Sequence, residues 1–214
     1  MSRRDLRRRA MVRRQLRARG ITDRRVLAAM ASVPREHFLP PALHDRAYAD
    51  TPLPIGHDQT ISQPYIVGLM IQEARVGRRD GVLEVGTGTG YQTAVLAKLV
   101  RHVWSVERLA ALSKIARERL AALGIDNVTL VLGDGALGYP DAAPYDAIIV
   151  SAAAPRPPTA LLAQLREGGR LVIPLGDEQL QYLTIFERTP GGLRQHGAGP
   201  CRFVPLVSPE AFHG

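Results

Sequence analysis

Several residue types are scarce in this chain, and each scarcity excludes a class of protein. The 214 residues include a single cysteine, Cys201, so no disulfide can form within the chain, which fits a reducing compartment. No apolar run approaches the roughly 18 residues of a membrane-spanning helix, and arginines interrupt the apolar residues where a secretory signal would lie. The six histidines lie scattered, without the spacing of metal ligands. We therefore expect a cytoplasmic protein with no metal site and no membrane partner.

Positive charge is abundant but unevenly placed. The formal net charge is +8, and a dense basic segment occupies the first 25 residues. Its arginines are Arg3, Arg4, Arg7, Arg8, Arg9, Arg13, Arg14, Arg17, Arg19, Arg24 and Arg25. Such a segment can bind nucleic acid or another acidic surface, or it can be a solvated helix. We favour the solvated helix and expect no nucleic-acid partner.

Helical periodicity and glycine or proline stops divide the first part of the chain. The predicted elements are a basic helix over 3–19 that Gly20 ends, a second helix that Thr22 caps and Pro34 ends, irregular chain over 34–60, and a helix after Pro64.

From Gly81 onward, short apolar runs alternate with helical segments. Strands are predicted at 82–85, 103–106, 128–132, 147–150 and 170–173, and helices at about 90–100, 109–123 and 159–165. This alternation predicts an α/β fold with a parallel sheet covered by helices on both faces. Two further strands, at 181–187 and near 202–207, have no crossover helix, so we expect them to extend one edge in antiparallel fashion. We treat 1–214 as one domain, with an N-terminal helical and loop extension (1–60), a cofactor-binding core (61–175) and C-terminal strands (176–214).

A glycine-rich segment joins the first core strand to its helix. Gly86, Gly88 and Gly90 lie where the carboxyl end of a parallel strand meets a ligand crevice, and glycine allows the backbone a sharp turn and a close approach. Dinucleotide-binding enzymes also use such a turn, but their fingerprint needs glycine at the sixth position, where this chain has Tyr91. The loop therefore indicates a cofactor site of a different kind.

Carboxylates end three successive strands. Glu84 would repel a pyrophosphate but suits the cationic methionine end of S-adenosylmethionine, directly or through water. Glu107 lies 21 residues after Gly86, where an acid commonly bridges ribose hydroxyls, although NAD enzymes share this feature. Asp134 can accept from an adenine amino group, and Gly135 leaves room for the ring. Together these residues predict a methyltransferase that binds S-adenosylmethionine.

The methyl acceptor is less clearly encoded. Enzymes that methylate base amino groups need an Asn/Asp-Pro-Pro-aromatic element after the fourth strand to hold a flipped base. This chain has Ser151-Ala152-Ala153-Ala154-Pro155 there, which argues against that acceptor. The polar segment 54–65 lies before the first core strand and suits either an active-site loop or a capped helix start.

At this point the sequence resembles the protein-L-isoaspartate (D-aspartate) O-methyltransferases of bacteria, from about Met11 to Leu206. The element Thr60-Ile61-Ser62-Gln63-Pro64 is specific to that family. The other segments that carry the resemblance are Met11-Val12 with Gln15-Leu16, 33–38, 47–50, 82–88, 106–108, 133–135, 143–148, 168–174 and 202–206.

The resemblance implies transfer of a methyl group to the free α-carboxylate of isoaspartyl residues in damaged proteins, which begins their repair through a succinimide. It implies a Rossmann-like methyltransferase fold with a mostly parallel seven-stranded sheet, whose last two strands are swapped in order. Ser62 falls on the family's essential serine. The implied cofactor-binding residues are Gln59, Thr60, Ile61, Glu84, Gly86, Thr87, Gly88, Gly90, Glu107, Arg108, Asp134 and Gly135, and the implied substrate-binding residues are Ser62, Val150, Phe203 and Val204.

One position departs from the family pattern and two other functions stay open. Asp58 occupies a position that is often glycine in the family, which leaves the conformation of this loop undetermined. The alternatives are a methyltransferase for RNA or a small molecule, and a non-catalytic protein that kept the fold. We expect a monomer that takes isoaspartyl peptides and proteins as its substrates.

Overall fold

A seven-stranded sheet forms the centre of the molecule in a computed structural model that describes residues 2–177, 179–209 and 211. A small antiparallel hairpin of β1 (Leu53–Gly56) and β2 (Gln59–Ile61) lies outside it. The central strands are β3 (Gly81–Val85), β4 (His102–Glu107), β5 (Val128–Leu132), β6 (Tyr145–Val150), β7 (Leu165–Gly176), β8 (Gln181–Thr189) and β9 (Gly192–Cys201). Their order is β5-β4-β3-β6-β7-β8-β9, and only the pairs β7–β8 and β8–β9 are antiparallel. The predicted parallel sheet with an antiparallel edge is confirmed, and the last strand of the chain lies outermost.

Six α-helices accompany the sheet in the described part of the chain. They are α1 (Arg3–Met11), α2 (Arg24–Ser32), α3 (Pro64–Ala74), α4 (Tyr91–Ala97), α5 (Ala110–Ala122) and α6 (Thr159–Ala163). The prediction of one regular helix over 3–19 is only partly correct, because a π-helical turn (Val12–Leu16) and a 3-10 turn (Arg17–Arg19) follow α1. Asp23, not Thr22, caps α2, since its carboxylate accepts from the amides of the second and third helical residues.

The segment 34–60, predicted to be irregular, contains two 3-10 turns (Arg35–Phe38 and Pro41–Arg46) and the β1–β2 hairpin. The hairpin turn takes Gly56, His57 and Asp58 into the left-handed region, with φ of 90°, 55° and 55°. Asp tolerates this conformation better than most residues, which explains how it stands where the family often has glycine. Strands of three and four residues give too little alternation for the hairpin to be predicted.

The final strand was predicted in the wrong place. β9 ends at Cys201, and residues 202–207 leave the sheet edge, where Pro205 makes an isolated parallel bridge with Ala153. β9 could not be predicted from apolar alternation, because it is mostly exposed and contains Gly197, Gly199 and Pro200.

Two apolar cores lie on opposite faces of the sheet. One combines residues of the N-terminal extension, such as Met11, Leu16 and Ile21, with Val82 of β3 and Val95 of α4. The other is built around the alternate residues of β3 and β6. The extension therefore packs as part of the main core. No helix among the described residues is long and apolar enough to cross a membrane.

Candidate active site

The glycine loop between β3 and α4 adopts conformations that only glycine takes easily. Gly86, Gly88 and Gly90 have φ of 90°, 55° and 95°, and Gly90 begins α4. A Cβ atom on Gly86 would also approach the Cβ of Ser151 to 3.3 Å. Thr89 ties the loop to the N-terminal extension, because its hydroxyl donates to the carbonyl of Phe38 at 2.8 Å.

Glu84 lies behind this loop and is completely buried. One carboxylate oxygen accepts from the hydroxyls of Thr93 and Ser105 at 2.5 and 2.6 Å, and the other accepts from Nε2 of Gln92 at 3.1 Å. Burial raises the pKa of Glu84 to about 7, although the three donors favour the ionised form. Its side chain lines neither of the two ligand spaces described below, but it is linked to them through Gln92, which also donates to Oγ of Ser151 at 2.9 Å.

Glu107 is held rigidly at the end of β4. Its Oε2 accepts from the amide of Gly88 at 2.8 Å, and its Oε1 accepts from the amide of Leu109 at 2.9 Å. Each carboxylate oxygen can accept more than one hydrogen bond. Glu107 therefore presents two fixed acceptors to the adjoining cavity while it also shapes the glycine loop.

Asp134 and Gly135 follow β5. The carboxylate of Asp134 accepts from the amide of Ala136 at 2.9 Å and from the hydroxyl of Ser208 at 2.7 Å, which links this turn to the C-terminal segment. Gly135 borders the cavity, whereas Asp134 does not. A Cβ atom on Gly135 would come within 2.3 Å of a methyl group of Val85, so the close packing here requires glycine.

These residues surround a cavity of about 290 Å³, which we call the deep cavity. Most of the residues that the sequence assigned to cofactor binding line it. They are Gln59, Thr60, Ile61, Gly86, Thr87, Gly88, Glu107, Arg108 and Gly135, whereas Glu84, Gly90 and Asp134 lie next to its walls. Within the described residues, no cluster of three or more His, Cys, Asp or Glu could hold a metal ion.

A second, wider depression of about 780 Å³ adjoins the deep cavity, and we call it the groove. It runs between α3 and the segment after β9. Five residues line both spaces, namely Thr60, Ser62, Ser151, Val204 and Pro205. A ligand in the deep cavity and a ligand in the groove would therefore meet at these residues.

Ser62, one of the polar residues shared by the deep cavity and the groove, lies between the β1–β2 hairpin and α3. Ile61 before it pairs with Leu53 in the hairpin, and Pro64 after it begins α3. The carbonyl of Ser62 accepts from Arg35 at 2.9 Å, while its hydroxyl makes no hydrogen bond within the described residues. The hydroxyl is therefore available to a ligand.

The opposite wall of the groove is the segment that follows β9. The side chain of Gln181, which is 3% exposed, brackets the backbone of Phe203, accepting from its amide at 2.7 Å and donating to its carbonyl at 3.3 Å. The carbonyl of Val204 accepts from the amide of Ala153 at 2.8 Å. Phe203 and Val204 both line the groove, where the sequence placed them.

One of the residues assigned to the substrate lies away from both spaces, and two residues that line them were not predicted. Val150 is fully buried in the apolar core of β3 and β6, and it lines neither the deep cavity nor the groove. Its neighbour Ser151, just past the end of the strand, lines both. Gln92 was also missed, although it borders the deep cavity and its Oε1 is buried without a hydrogen-bond partner in the described chain. The sequence does not show which way a side chain points at the end of a strand. Nor does it show that Gln92 contacts Ser151, 59 positions away.

The sheet order, the glycine loop and the carboxylate fixed at the end of the next strand define the chain as an S-adenosylmethionine-dependent methyltransferase by fold. It belongs to the protein-L-isoaspartate(D-aspartate) O-methyltransferase family, whose model matches residues 7–211.

Individual relatives agree with this membership. The protein-L-isoaspartate O-methyltransferase of Methanoregula boonei is 52% identical over 200 residues, which cover 94% of this chain and 92% of the relative. The Synechococcus protein of the same name is 53% identical over 204 residues, covering 92% and 84% of the two chains. Among solved structures, one protein-L-isoaspartate O-methyltransferase superposes with a TM-score of 0.84 at 30% identity, covering 95% of this chain and 67% of its own. A Plasmodium falciparum enzyme described by the same activity, in complex with S-adenosyl-L-homocysteine, gives a TM-score of 0.81 at 26% identity, covering 94% and 98%.

Proposed function

We propose that this chain methylates the free α-carboxylate of L-isoaspartyl residues in damaged proteins, with S-adenosylmethionine as the methyl donor. The methyl ester that forms closes to a succinimide, and hydrolysis of this ring returns part of the damage to normal aspartate. The observation that carries the proposal is Ser62, whose free hydroxyl lies at the junction of the deep cavity and the groove.

The deep cavity fits the methyl donor in chemistry. Glu107 offers two fixed carboxylate oxygens to the ribose hydroxyls, and Gly135 lines the part of the cavity that we assign to the adenine. The unpartnered Oε1 of Gln92 is a buried acceptor for the amino group of the methionine end. When bound, S-adenosylmethionine supplies a methyl group on a positively charged sulfur. We assign Gln59, Thr60, Ile61, Thr87 and Arg108 to the remaining walls of this site.

The groove fits an extended peptide. Its walls come from α3 and from the segment after β9, and no acidic residue among those that the structure describes lines it. Arg19 and Arg202 line the groove, and their positive charge suits an anionic acceptor. We assign Ser62, Ser151, Phe203 and Val204 to the substrate.

The reaction needs orientation more than proton transfer. The acceptor carboxylate is already ionised at neutral pH, so no general base is required. One carboxylate oxygen forms a bond to the methyl carbon as the methyl–sulfur bond breaks, with the two bonds in line. Correct placement of this kind can lower a barrier by roughly 7–11 kcal/mol. We propose that the Ser62 hydroxyl donates a hydrogen bond that fixes the other carboxylate oxygen, and that Ser62 forms no covalent intermediate.

The test compares methyl transfer to an isoaspartyl peptide and to its normal aspartyl twin. We expect turnover of the first only, and equal rates with the two would refute the proposed function. The Ser62→Ala variant should lose about 10- to 100-fold in kcat, the value of one hydrogen bond to a charged group, while its affinity for S-adenosylhomocysteine stays within about twofold. An equal loss of binding and turnover would contradict the orienting role of Ser62.

We further propose that the chain acts as a cytoplasmic monomer on isoaspartyl proteins, without nucleic-acid or membrane partners, and that residues 1–214 form one domain. The shared apolar core of the N-terminal extension and the sheet supports one domain. The large exposed apolar side chains among the described residues are few and come from four places along the chain, which supports a monomer. They are Leu6, Leu132, Leu137, Leu180, Tyr182 and Leu193. Sedimentation at several concentrations tests the monomer.

A further inference from the structure

Among the described residues, Arg35 has the largest fully buried side chain, with 0% exposure. Arginine is almost never buried completely unless a carboxylate pairs with it. Within the described residues, Arg35 makes no ion pair. Burial lowers its pKa to about 10, which still leaves the guanidinium charged at neutral pH.

The guanidinium group is used to hold backbone. Its Nε donates to the carbonyl of Ala47 at 2.7 Å, and its Nη1 donates to the carbonyl of Ser62 at 2.9 Å. Its carbon lies 5.2 Å from the ring centroid of Tyr91, the first residue of α4. One side chain thus connects the N-terminal extension, the Ser62 turn and the helix that follows the glycine loop.

The hydrogen bond from Arg35 to the Ser62 carbonyl restrains the backbone of the serine itself. It fixes the peptide plane between Ser62 and Gln63, so it sets the backbone conformation from which the serine hydroxyl projects. Gln63 precedes a proline, which restricts its backbone to extended conformations, and its side chain donates to the carbonyl of Asp50 at 3.1 Å. Arg35 therefore adds a direct constraint on the backbone of Ser62, beyond those from the hairpin before it and α3 after it.

A purely structural role does not explain this arrangement well. A buried cation without an anion costs stability, and an apolar side chain of similar volume often packs as well or better. The planar fork of arginine, however, can bond two separated carbonyl groups with fixed geometry, which neither lysine nor an apolar residue can do.

We propose that Arg35 is a positioning residue for methyl transfer, which holds Ser62 in the orientation that aligns the acceptor carboxylate. This proposal rests on the proposed function of Ser62. Arg35 itself lines neither the deep cavity nor the groove, so its effect on the substrate is indirect, and its hydrogen bond to the carbonyl of Ser62 is the contact that we assign to it.

The experiment is a double-mutant cycle of Arg35→Lys and Ser62→Ala, with kcat and KM measured on an isoaspartyl peptide. Arg35→Lys alone should reduce kcat by about 10- to 100-fold, as expected for a small misplacement of an aligning group, while the affinity for S-adenosylhomocysteine changes by less than about threefold. In the Ser62→Ala background, the same substitution should cause little further loss. Multiplicative losses would overturn the proposal, because they would show that Arg35 acts independently of Ser62.

Arg35→Met is the second variant, since it removes the buried charge and keeps most of the volume. We expect it to fold and to repeat the kinetic result. If neither variant folds even with saturating S-adenosylhomocysteine, Arg35 is a structural residue and the proposal fails. Amide hydrogen exchange gives a readout that needs no turnover: residues 59–63 should exchange faster in Arg35→Lys, and residues 81–90 should not. A wild-type enzyme without activity on isoaspartyl peptides would refute the proposed function instead.

Discussion

Glu84 makes the stability of this protein depend on pH in a direction that can be worked out from the structure. Its pKa is about 7 in the folded chain against an ordinary 4.5, because the carboxylate is completely buried. The folded state therefore binds more protons than the unfolded state between these two values, and stability must fall as pH rises through this window. The stabilising contribution of roughly 3 kcal/mol is fully present below pH 4.5 and is lost above about pH 7.

The comparison that isolates this effect is wild type against Glu84→Gln. Glutamine is neutral at every pH, and the hydroxyls of Thr93 and Ser105 can rotate to accept from its amide. The free energy of unfolding, measured by urea denaturation at pH 5, 6, 7 and 8, should decrease for wild type relative to the variant by about 2–3 kcal/mol across this range. Other titrating groups are common to both proteins and cancel.

Two results would refute this reasoning. Parallel pH profiles for wild type and Glu84→Gln would mean that Glu84 does not titrate in the folded chain, and the opposite slope would mean that its three donors outweigh burial. Ser105→Ala provides an internal check, because it removes a donor to the ionised carboxylate at 2.6 Å. Its pH dependence should extend to higher pH than that of wild type.

Two further predictions concern the walls of the site. Gly135→Ala should lower the free energy of unfolding by about 1–3 kcal/mol in thermal denaturation, because the new methyl group would overlap Val85 of β3. Gly133→Ala is the control, because its methyl group meets no atom within 4 Å and the variant should melt as wild type does. Similar melting temperatures for the two variants would contradict this prediction. Gln181→Leu should raise the KM for an isoaspartyl peptide several-fold by releasing the backbone of Phe203, and an equal loss of S-adenosylhomocysteine affinity would show that the effect is general.

The cofactor half of the site could be predicted because its information is local. A strand, three glycines and a helix follow one another within residues 81–97. The acid at the end of the next strand lies beside the loop because parallel strands end at the same edge. The structure adds how Glu107 is used: it holds the amide of Gly88 as well as facing the cavity. It also places Glu84 behind the wall, a difference in side-chain direction that the sequence does not reveal.

The acceptor half could be predicted only through the resemblance to a family. The groove is assembled from α3 and the segment after β9, which are more than a hundred positions apart. Pattern alone placed the last strand at 202–207, where the chain in fact lines the deep cavity and the groove. The resemblance assigned Val150 to the substrate, although this residue lies in the apolar core. Arg35 would be expected on the surface by its residue type, and only its contacts reveal a buried role.

The cofactor half and the acceptor half of the site should respond differently to substitutions. The glycine loop is shaped mainly by its own backbone and by Glu107, within one strand–helix–strand unit, with one further hydrogen bond from Thr89 to the carbonyl of Phe38. The Ser62 hydroxyl depends on the hairpin before it, α3 after it and Arg35 beside it, which come from separate parts of the chain. Substitutions that release Arg35 from the carbonyl of Ser62 should therefore impair methyl transfer before they impair cofactor binding. The N-terminal extension thus contributes to both halves of the site, because Gln59 and Thr60 line the deep cavity while Arg35 holds the serine.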